Sequence, residues 1–168
     1  MNSKNKSNIE LIVREGLEKD LSPIRRIETQ SFHKPWRRET LRWTLLSDSI
    51  FVLVGEKQSV LGYAIFTPNR PRVNAFTMSE FPEESSSGHI LNLAVSPDRR
   101  REGIATTLVD RVGRELESKG KDKIALEVRE SNEAARNFYL QQGFEVTHTI
   151  NGYYLNKDNA YVMEKQLG

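Results

Sequence analysis

A basic turn between a predicted strand and a predicted helix is the first stretch whose residue types could bind a ligand. The apolar run Leu91–Val95 is typical of a buried strand, and Ser96-Pro97-Asp98 interrupts it. From Ile104 onwards, apolar residues recur at helical spacing. A helix begins with backbone N–H groups that have no partner inside the helix, and its dipole places partial positive charge there. With Gly103 and the arginines Arg99–Arg101 at its start, this helix is predicted to bind a phosphate or pyrophosphate group.

Two common phosphate-binding motifs are excluded at this turn. The run contains neither the Gly-x-x-x-x-Gly-Lys-Ser/Thr of a P-loop nor the Gly-x-Gly-x-x-Gly of the dinucleotide fingerprint. The small residues Gly103 and Ala105 would let the backbone approach a phosphate closely. The alternative interpretation is a solvated basic turn ahead of an ordinary helix.

Glu127 and His89 are the candidates for proton transfer. Glu127 lies in the strand predicted over 123–128, which should carry apolar side chains throughout if both faces of the sheet are covered. A carboxylate in a partly dry cleft has a raised pKa and can act as a general base near neutral pH. His89, at the start of the central strand, has an ordinary pKa of about 6.5 and could also accept a proton. The alternatives are an ion pair of Glu127 with Arg129 or Arg101, and a purely structural His89.

Tyr139 and Asn132 are predicted to share one side of the helix that follows this strand. Parallel neighbouring strands place the N-termini of both following helices at the same sheet edge, where open α/β sheets bind ligands. The two side chains could therefore line one crevice with the basic turn, although Tyr139 could equally be a core aromatic. The three histidines of the chain are scattered and make no metal-binding pattern, so no metal is expected.

A mixed α/β sheet must position these groups. The strand–helix–strand unit of 89–128 requires a parallel pair with a right-handed crossover, whereas the flanking pairs are predicted to be antiparallel. The expected fold is a central sheet of about seven strands with helices on both faces. Strands are predicted at 9–14, 50–54, 60–66, 89–95, 123–128, 144–150 and 161–166, with a long connection over 67–87. Helices are predicted at 21–31 (capped by Asp20), 38–46, 104–119 and 132–142 (capped by Ser131).

Composition limits the class of protein. The 168 residues, 37% of them hydrophobic, suffice for one domain, which we expect over 9–168 after a loose polar tail at 1–8. The 25 basic and 23 acidic side chains leave a formal charge of only +2, so no nucleic-acid partner is indicated. The absence of cysteine excludes disulfides and cysteine nucleophiles. No apolar run reaches the roughly 18 residues of a membrane span and 1–8 is no signal peptide, so a cytoplasmic protein without a membrane partner is expected.

The chain from Ile9 to Leu167 resembles the GNAT superfamily of acyl-CoA-dependent N-acetyltransferases. The run Arg100-Arg101-Glu102-Gly103-Ile104-Ala105 matches the Arg/Gln-x-x-Gly-x-Gly/Ala signature that this superfamily uses for the pyrophosphate of coenzyme A. A second set of residues is similar to the branch that acetylates protein amino termini, which includes the ribosomal-protein alanine acetyltransferases and archaeal relatives of the eukaryotic catalytic subunit. That set is Leu126-Glu127-Val128-Arg129, Asn132, Ala135, Phe138-Tyr139, Gly143-Phe144 and the closing Asn151-Gly152-Tyr153-Tyr154 and Asp158–Met163.

The resemblance implies a role for each candidate residue. Glu127, with His89, would take the proton from the amine, and Tyr139 would protonate the leaving thiolate. The residues implied to hold acetyl-CoA are Leu93, Ala94, Val95, Arg100, Arg101, Glu102, Gly103, Ile104, Ala105, Thr106 and Asn132. Those implied to form the walls of a peptide slot are Phe32, Pro35 and Trp36 on one side and Tyr153 and Tyr154 on the other. Lys34 lies where some relatives that favour small first residues keep an acidic group, which leaves the specificity open.

Elementary chemistry is compatible with this resemblance. A protein α-amine has a pKa near 8 and is partly free base at neutral pH, whereas a lysine, at about 10.4, is almost fully protonated. Because the chain has no cysteine, direct attack of the amine on the thioester is simpler than an acyl-enzyme. Backbone N–H groups at Ala94–Val95 could stabilise the developing oxyanion.

Three functions follow as hypotheses. The first is acetyl transfer to the α-amino group of proteins or peptides, including nascent chains at the ribosome, with Ser, Ala or Thr as the expected first residue and Met as a second class. The second is acetylation of a small-molecule amine or of lysine. The third is a non-catalytic acyl-CoA-binding or ribosome-associated module that uses Arg37, Arg38, Arg42 and Arg99–Arg101.

Overall fold

The residues that the structure describes form four α-helices and seven strands. The structure is a computed structural model that describes residues 11–47, 50–55, 59–69 and 86–168. The predicted tail at 1–8 and most of the predicted connection over 67–87 lie outside the described residues. The strands are β1 Ile12–Glu15, β2 Ile50–Val54, β3 Val60–Thr67, β4 Ser87–Val95, β5 Lys123–Arg129, β6 Glu145–Ile150 and β7 Ala160–Gln166. The helices are α1 Leu21–Ser31, α2 Arg38–Leu45, α3 Ile104–Ser118 and α4 Glu133–Gln141.

The strands form a mixed sheet, as predicted from the order of the elements. Their hydrogen-bonded order is β1-β2-β3-β4-β5-β7-β6. The pairs β1–β2, β2–β3, β5–β7 and β6–β7 are antiparallel. Strands β4 and β5 are parallel, with Ser87 opposite Lys123 and His89 opposite Ala125. Because α3 connects these two strands, it is the crossover helix that a parallel pair requires.

The chain divides into two compact units. The first comprises Met1–Ile65 and Leu93–Arg111, and the second comprises Phe66–Asn92 and Val112–Gly168. The division crosses β3, β4 and α3, and the expectation of one domain over 9–168 stays a prediction.

Each unit has its own buried apolar side chains. In the first unit they are Leu21, Ile24, Ile27, Leu41, Leu45, Tyr63, Ile65 and Ala94, with Trp36 and Val60 packed against them. In the second unit they include Phe66, Val112, Leu116, Ile124, Leu126, Tyr139, Phe144, Val162 and Met163. In α3 the predicted helical spacing is confirmed, because Ile104, Leu108, Val112 and Leu116 are all buried.

Both predicted helix caps were wrong in their side-chain contacts. Asp20 does precede α1, but its carboxylate makes no cap hydrogen bond and instead accepts from Arg14 at 2.7 and 2.9 Å and from Leu17 N–H at 2.8 Å. The guanidinium is the stronger competitor because both groups are charged. At α4 the cap is Asn132 rather than Ser131, since the Asn132 side chain accepts from Ala135 N–H.

Candidate active site

The basic turn of the first unit has an unusual backbone at two positions. Gly103 has a φ of +80° and Arg101 a φ of +65°, and a non-glycine residue adopts this left-handed conformation only at a cost. A Cβ built on Gly103 would meet no atom within 4 Å. The first helical turn closes with Thr107 N–H donating to Gly103 O at 3.0 Å. The N–H groups of residues 104–106 therefore precede the first hydrogen bond of α3, as the predicted phosphate site requires.

The arginines of the turn differ in what they contact. Arg99 is held by Glu102 in an ion pair of 2.8 Å, so its charge is offset within the turn. The expectation that all three arginines add positive charge at the helix start was therefore wrong for Arg99. Arg100 is exposed and reaches Val95 O at 3.4 Å and Ser31 Oγ at 3.3 Å, and Arg101 is exposed. Arg100 and Arg101 remain the candidates for a pyrophosphate.

The end of β4 lies close to the neighbouring strand in the first unit. Ala94 and Val95 are buried and Leu93 is half-buried. Ser96 N–H donates to Leu61 O at 2.8 Å, beyond the end of the strand. A Cβ on Gly62 would lie 3.0 Å from Ala94 O and 3.0 Å from a methyl group of Ile104. The glycine therefore lets the strand end and the start of α3 approach β3 closely.

The connection between α1 and α2 carries the predicted wall residues of the first unit. Phe32 is exposed, whereas Pro35 and Trp36 are half-buried. Trp36 packs against the buried cluster of the first unit. Lys34 and His33 are exposed. Apolar side chains at the surface of a short connection could contact a peptide, and their role stays a prediction.

His89 and Glu127 meet in the second unit. His89 Nε2 lies 2.6 Å from Glu127 Oε2, and only 3% and 8% of the two side chains are exposed. The two strands that carry them are parallel, and Glu127 follows the register partner of His89 by two residues. His89 Nδ1 is buried and has no hydrogen-bond partner among the described residues. The resemblance implied that Glu127 and His89 act together, whereas the residues alone suggested Arg129 or Arg101 as the ion-pair partner of Glu127; the contact shown is with His89.

Two tyrosines of the second unit, Tyr139 and Tyr154, have raised pKa values. Burial raises the pKa of Tyr154 to about 12, with Arg129 opposing the rise and Glu127 adding to it. Burial, followed by the influence of Tyr154, raises the pKa of Tyr139 well above its ordinary value. Both hydroxyls therefore keep their protons near neutral pH and can donate them. Glu127 therefore lies close enough to Tyr154 to influence its pKa, and both tyrosines are uncharged near neutral pH.

Arg129 holds the segment between β6 and β7, a contact that sequence reasoning missed. Its guanidinium carbon lies 3.9 Å from the centroid of the Tyr154 ring, and the side chain also pairs with Asp158 and with Asn156. Tyr153 is buried and packs edge-on against Tyr154 at 4.9 Å between centroids. A signal was present in the sequence, because Arg129 follows Glu127 by two residues and so shares its face of β5.

The remaining predicted residues have structural contacts. Tyr139 packs edge-on against Phe138 and Phe144, at 5.1 and 5.4 Å between centroids. Asn132 is exposed at the start of α4, where its side-chain oxygen accepts from Ala135 N–H at 3.1 Å. A cofactor contact of Asn132 stays a prediction. Among the residues that the structure describes, no group of three His, Asp or Glu side chains is arranged to hold a metal ion, and no helix is long and apolar enough to cross a membrane.

Solved structures show which class of fold this is. Ard1 from Thermoplasma volcanium superimposes with a TM-score of 0.79 over 94% of this chain and 98% of that chain, at 24% sequence identity. At this identity the likeness shows the fold alone.

The sequence comparisons extend this result from fold to family. The sequence profile of the acetyltransferase (GNAT) family matches residues 16–144. The N-alpha-acetyltransferase daf-31 of Caenorhabditis elegans is 33% identical over 129 residues, which are 76% of this chain and 64% of that protein. An N-alpha-acetyltransferase of Saccharolobus solfataricus is 33% identical over 112 residues, 65% of this chain and 64% of that protein. The chain therefore belongs to the acetyltransferase (GNAT) family, and it matches about two thirds of the length of these curated relatives.

Proposed function

We propose that this protein transfers the acetyl group of acetyl-CoA to the α-amino group of protein N-termini. The observation that carries the proposal is the buried contact between His89 and Glu127. Membership of the GNAT family supports acetyl transfer, and relatives named N-alpha-acetyltransferase favour an α-amine as the acceptor.

In the proposed reaction, the amine nitrogen attacks the carbonyl carbon of the thioester directly. Glu127, paired with His89, accepts the proton that the amine loses as the C–N bond forms. The C–S bond breaks, and the Tyr139 hydroxyl protonates the departing thiolate. The products are the acetylated amine and the free thiol of coenzyme A. Glu127 then returns its proton through solvent to Tyr139, which restores both residues for the next turnover.

We propose that the first unit binds acetyl-CoA. The N–H groups of residues 104–106 and the side chains of Arg100 and Arg101 would hold the pyrophosphate. Backbone groups of Leu93, Ala94 and Val95 would contact the pantetheine arm and stabilise the oxyanion. The space around Gly103 supports this assignment, because a Cβ built there would have no atom of the described residues within 4 Å.

We propose protein N-termini that begin with Ser, Ala or Thr as the preferred acceptors, with Met as a second class. Phe32, Pro35 and Trp36 are the proposed peptide contacts of the first unit, and Tyr153 and Tyr154 are those of the second unit. An α-amine needs only a modest base, because a useful share is already deprotonated at neutral pH. Nascent chains at the ribosome in the cytoplasm are the proposed source of such N-termini, and 9–168 is the proposed domain.

Peptide acetylation tests the proposal. Purified protein is incubated with acetyl-CoA and a library of peptides that differ in the first residue. Each peptide contains one internal lysine and is made in two forms, one with a free and one with a blocked N-terminus. We expect release of coenzyme A with free N-termini only. Equal turnover of free and blocked peptides would indicate lysine acetylation. Turnover of polyamines but of no peptide would indicate a small-molecule enzyme, and binding of acetyl-CoA without turnover would indicate a non-catalytic module.

A further inference from the structure

Glu28 is a charged residue in the interior of the first unit that the proposed reaction does not use. It lies in α1, and its exposed fraction is 0%. Its carboxylate accepts two hydrogen bonds, from Trp36 N–H at 2.8 Å and from the Tyr63 hydroxyl. A buried carboxylate is costly unless such donors satisfy it, so a purely apolar residue would fill this position more simply.

Tyr63 is held as a hydrogen-bond donor to this carboxylate. The Tyr63 side chain is fully buried in β3. Burial, followed by the negative charge of Glu28, raises the pKa of the Tyr63 hydroxyl far above its ordinary value. The hydroxyl therefore keeps its proton above the pH at which an ordinary tyrosine ionises. The Tyr63 bond fixes the Glu28 side chain, which leaves the other carboxylate oxygen directed at Trp36.

Glu28 contacts both ends of the connection between α1 and α2. Its backbone carbonyl accepts from Phe32 N–H at 3.0 Å, which ends α1, and its side chain accepts from Trp36 N–H. Residues 32–34 of the connection are exposed and Pro35 is half-buried, whereas Trp36 packs against the buried cluster. The Glu28 side chain therefore adds a polar contact that ties the Trp36 end of the connection 32–36 to α1.

We propose that Glu28 is a positioning residue that fixes the connection 32–36 and thereby determines which N-terminal residues are accepted. The inference rests on the proposed function, because Phe32, Pro35 and Trp36 are the proposed peptide contacts of this unit. Glu28 itself touches no reacting atom. Its effect should therefore appear in the peptide KM and in the selectivity for the first residue, and leave acetyl-CoA binding unchanged.

Two variants of Glu28 and one of Tyr63 test this proposal. In Glu28→Ala the Trp36 N–H loses its acceptor, and we expect the peptide KM to rise about tenfold or more and the preference among first residues to flatten. Glu28→Gln keeps an amide oxygen for Trp36 N–H and should restore most of the selectivity. Tyr63→Phe removes the bond that orients the carboxylate and should give an intermediate result. The KM for acetyl-CoA should stay within about twofold in all three variants.

Asp20→Asn is the matched control. Asp20 is also an acidic residue buried in the first unit beside α1, and it accepts hydrogen bonds from Arg14 and Leu17 rather than from the connection. Asp20→Asn should lower the melting temperature as the Glu28 variants do. Unlike them, it should leave the peptide KM and the selectivity unchanged.

Tryptophan fluorescence separates this proposal from the proposed function. The chain contains two tryptophans, and Trp43 is 76% exposed on α2. In a Trp43→Phe background, Trp36 is the only tryptophan and reports the position of the connection without any turnover. We expect Glu28→Ala to shift its emission to longer wavelength and Asp20→Asn to leave it unchanged. If no peptide is acetylated, the proposed function fails and the fluorescence still tests the anchoring of the connection. Unchanged emission, or an unchanged peptide KM in a folded Glu28 variant, would overturn the proposal.

Discussion

His89 and Glu127 form a buried pair although they are 38 residues apart in the sequence. At 2.6 Å between His89 Nε2 and Glu127 Oε2, a proton must lie between the two atoms. The ring is thereby oriented by the carboxylate, and Nδ1 faces the interior without a hydrogen-bond partner among the described residues. Buried polar atoms of this kind are commonly satisfied by ordered water, which could carry a proton from the amine.

Glu127→Gln should lower kcat by about a hundredfold or more, because general base catalysis contributes that much. A glutamine keeps the size of the side chain but cannot accept the proton. Acetyl-CoA affinity, measured by titration calorimetry, should change little, since the base is not a proposed cofactor contact. His89→Gln serves as the comparison: a smaller loss of kcat would identify Glu127 as the main base, and a loss confined to acetyl-CoA affinity in either variant would contradict the assignment.

Tyr139→Phe should lower kcat by the same factor at every pH from 6 to about 10. The pKa of Tyr139 is raised by burial and by Tyr154, so the wild-type hydroxyl stays protonated as the pH rises through its ordinary value. An acid with an unshifted pKa would be half ionised at about pH 10, and the wild-type advantage would shrink there. The measurement is the ratio of the wild-type and variant rates across the pH range. A ratio that falls steadily above pH 9 would show that the pKa of Tyr139 is not raised, and a ratio near one at every pH would show that Tyr139 is not the acid.

Gly103→Leu should weaken acetyl-CoA binding at least tenfold, since a side chain would occupy the proposed pyrophosphate site and the backbone conformation is unfavourable for it. Gly120→Leu is the control. Gly120 has a similar φ of +74°, and a Cβ there also meets no atom within 4 Å. Both substitutions should destabilise the protein by about 1–3 kcal/mol through backbone strain. Only Gly103→Leu should raise the Kd for acetyl-CoA, so an equal rise in both variants would point to misfolding instead.

Gly88→Ala should destabilise the second unit by about 1–3 kcal/mol, because β4 lies directly against α3 at this position. The added Cβ would lie 2.2 and 2.4 Å from the two methyl carbons of Leu116, which is fully buried. Chemical denaturation of Gly88→Ala, Leu116→Ala and the double variant measures the effect. We expect the double variant to lose less stability than the sum of the single ones, since the smaller residue 116 leaves room for the methyl group. Additive losses would be inconsistent with the contact.

Hydrophobic periodicity was sufficient to predict most of the fold. The spacing of Ile104, Leu108 and Leu116 reports a helix with one buried face, and the structure has α3 there. The order strand–helix–strand over 89–128 required the parallel pairing of β4 with β5. The first strand was predicted over 9–14; residues 9 and 10 lie outside the described residues, and the described strand runs one residue further than predicted, to Glu15, because an alternating pattern does not define where a strand ends.

Local chemistry was harder to predict than the elements. Asp20 and Ser131 have the residue types of helix caps. The Asp20 carboxylate instead accepts from Arg14, and at α4 the capping side chain is that of Asn132. Arg99 was counted as free positive charge, whereas Glu102 neutralises it three residues later. The contact of His89 with Glu127 depends on the register of two strands, and no local pattern specifies that register.

Gly62 limits how the proposed acetyl-CoA site of the first unit can change, although it takes no part in the proposed chemistry. Replacing one hydrogen atom there by a methyl group would press on the carbonyl of Ala94 and on the side chain of Ile104 together. A Cβ at position 62 would lie 3.0 Å from Ala94 O, in the strand proposed to bind the acetyl group, and 3.0 Å from a methyl carbon of Ile104, at the start of the helix proposed to bind the pyrophosphate. A side chain at position 62 would therefore displace both elements, and any redesign of the proposed acetyl-binding residues has to keep glycine at this position.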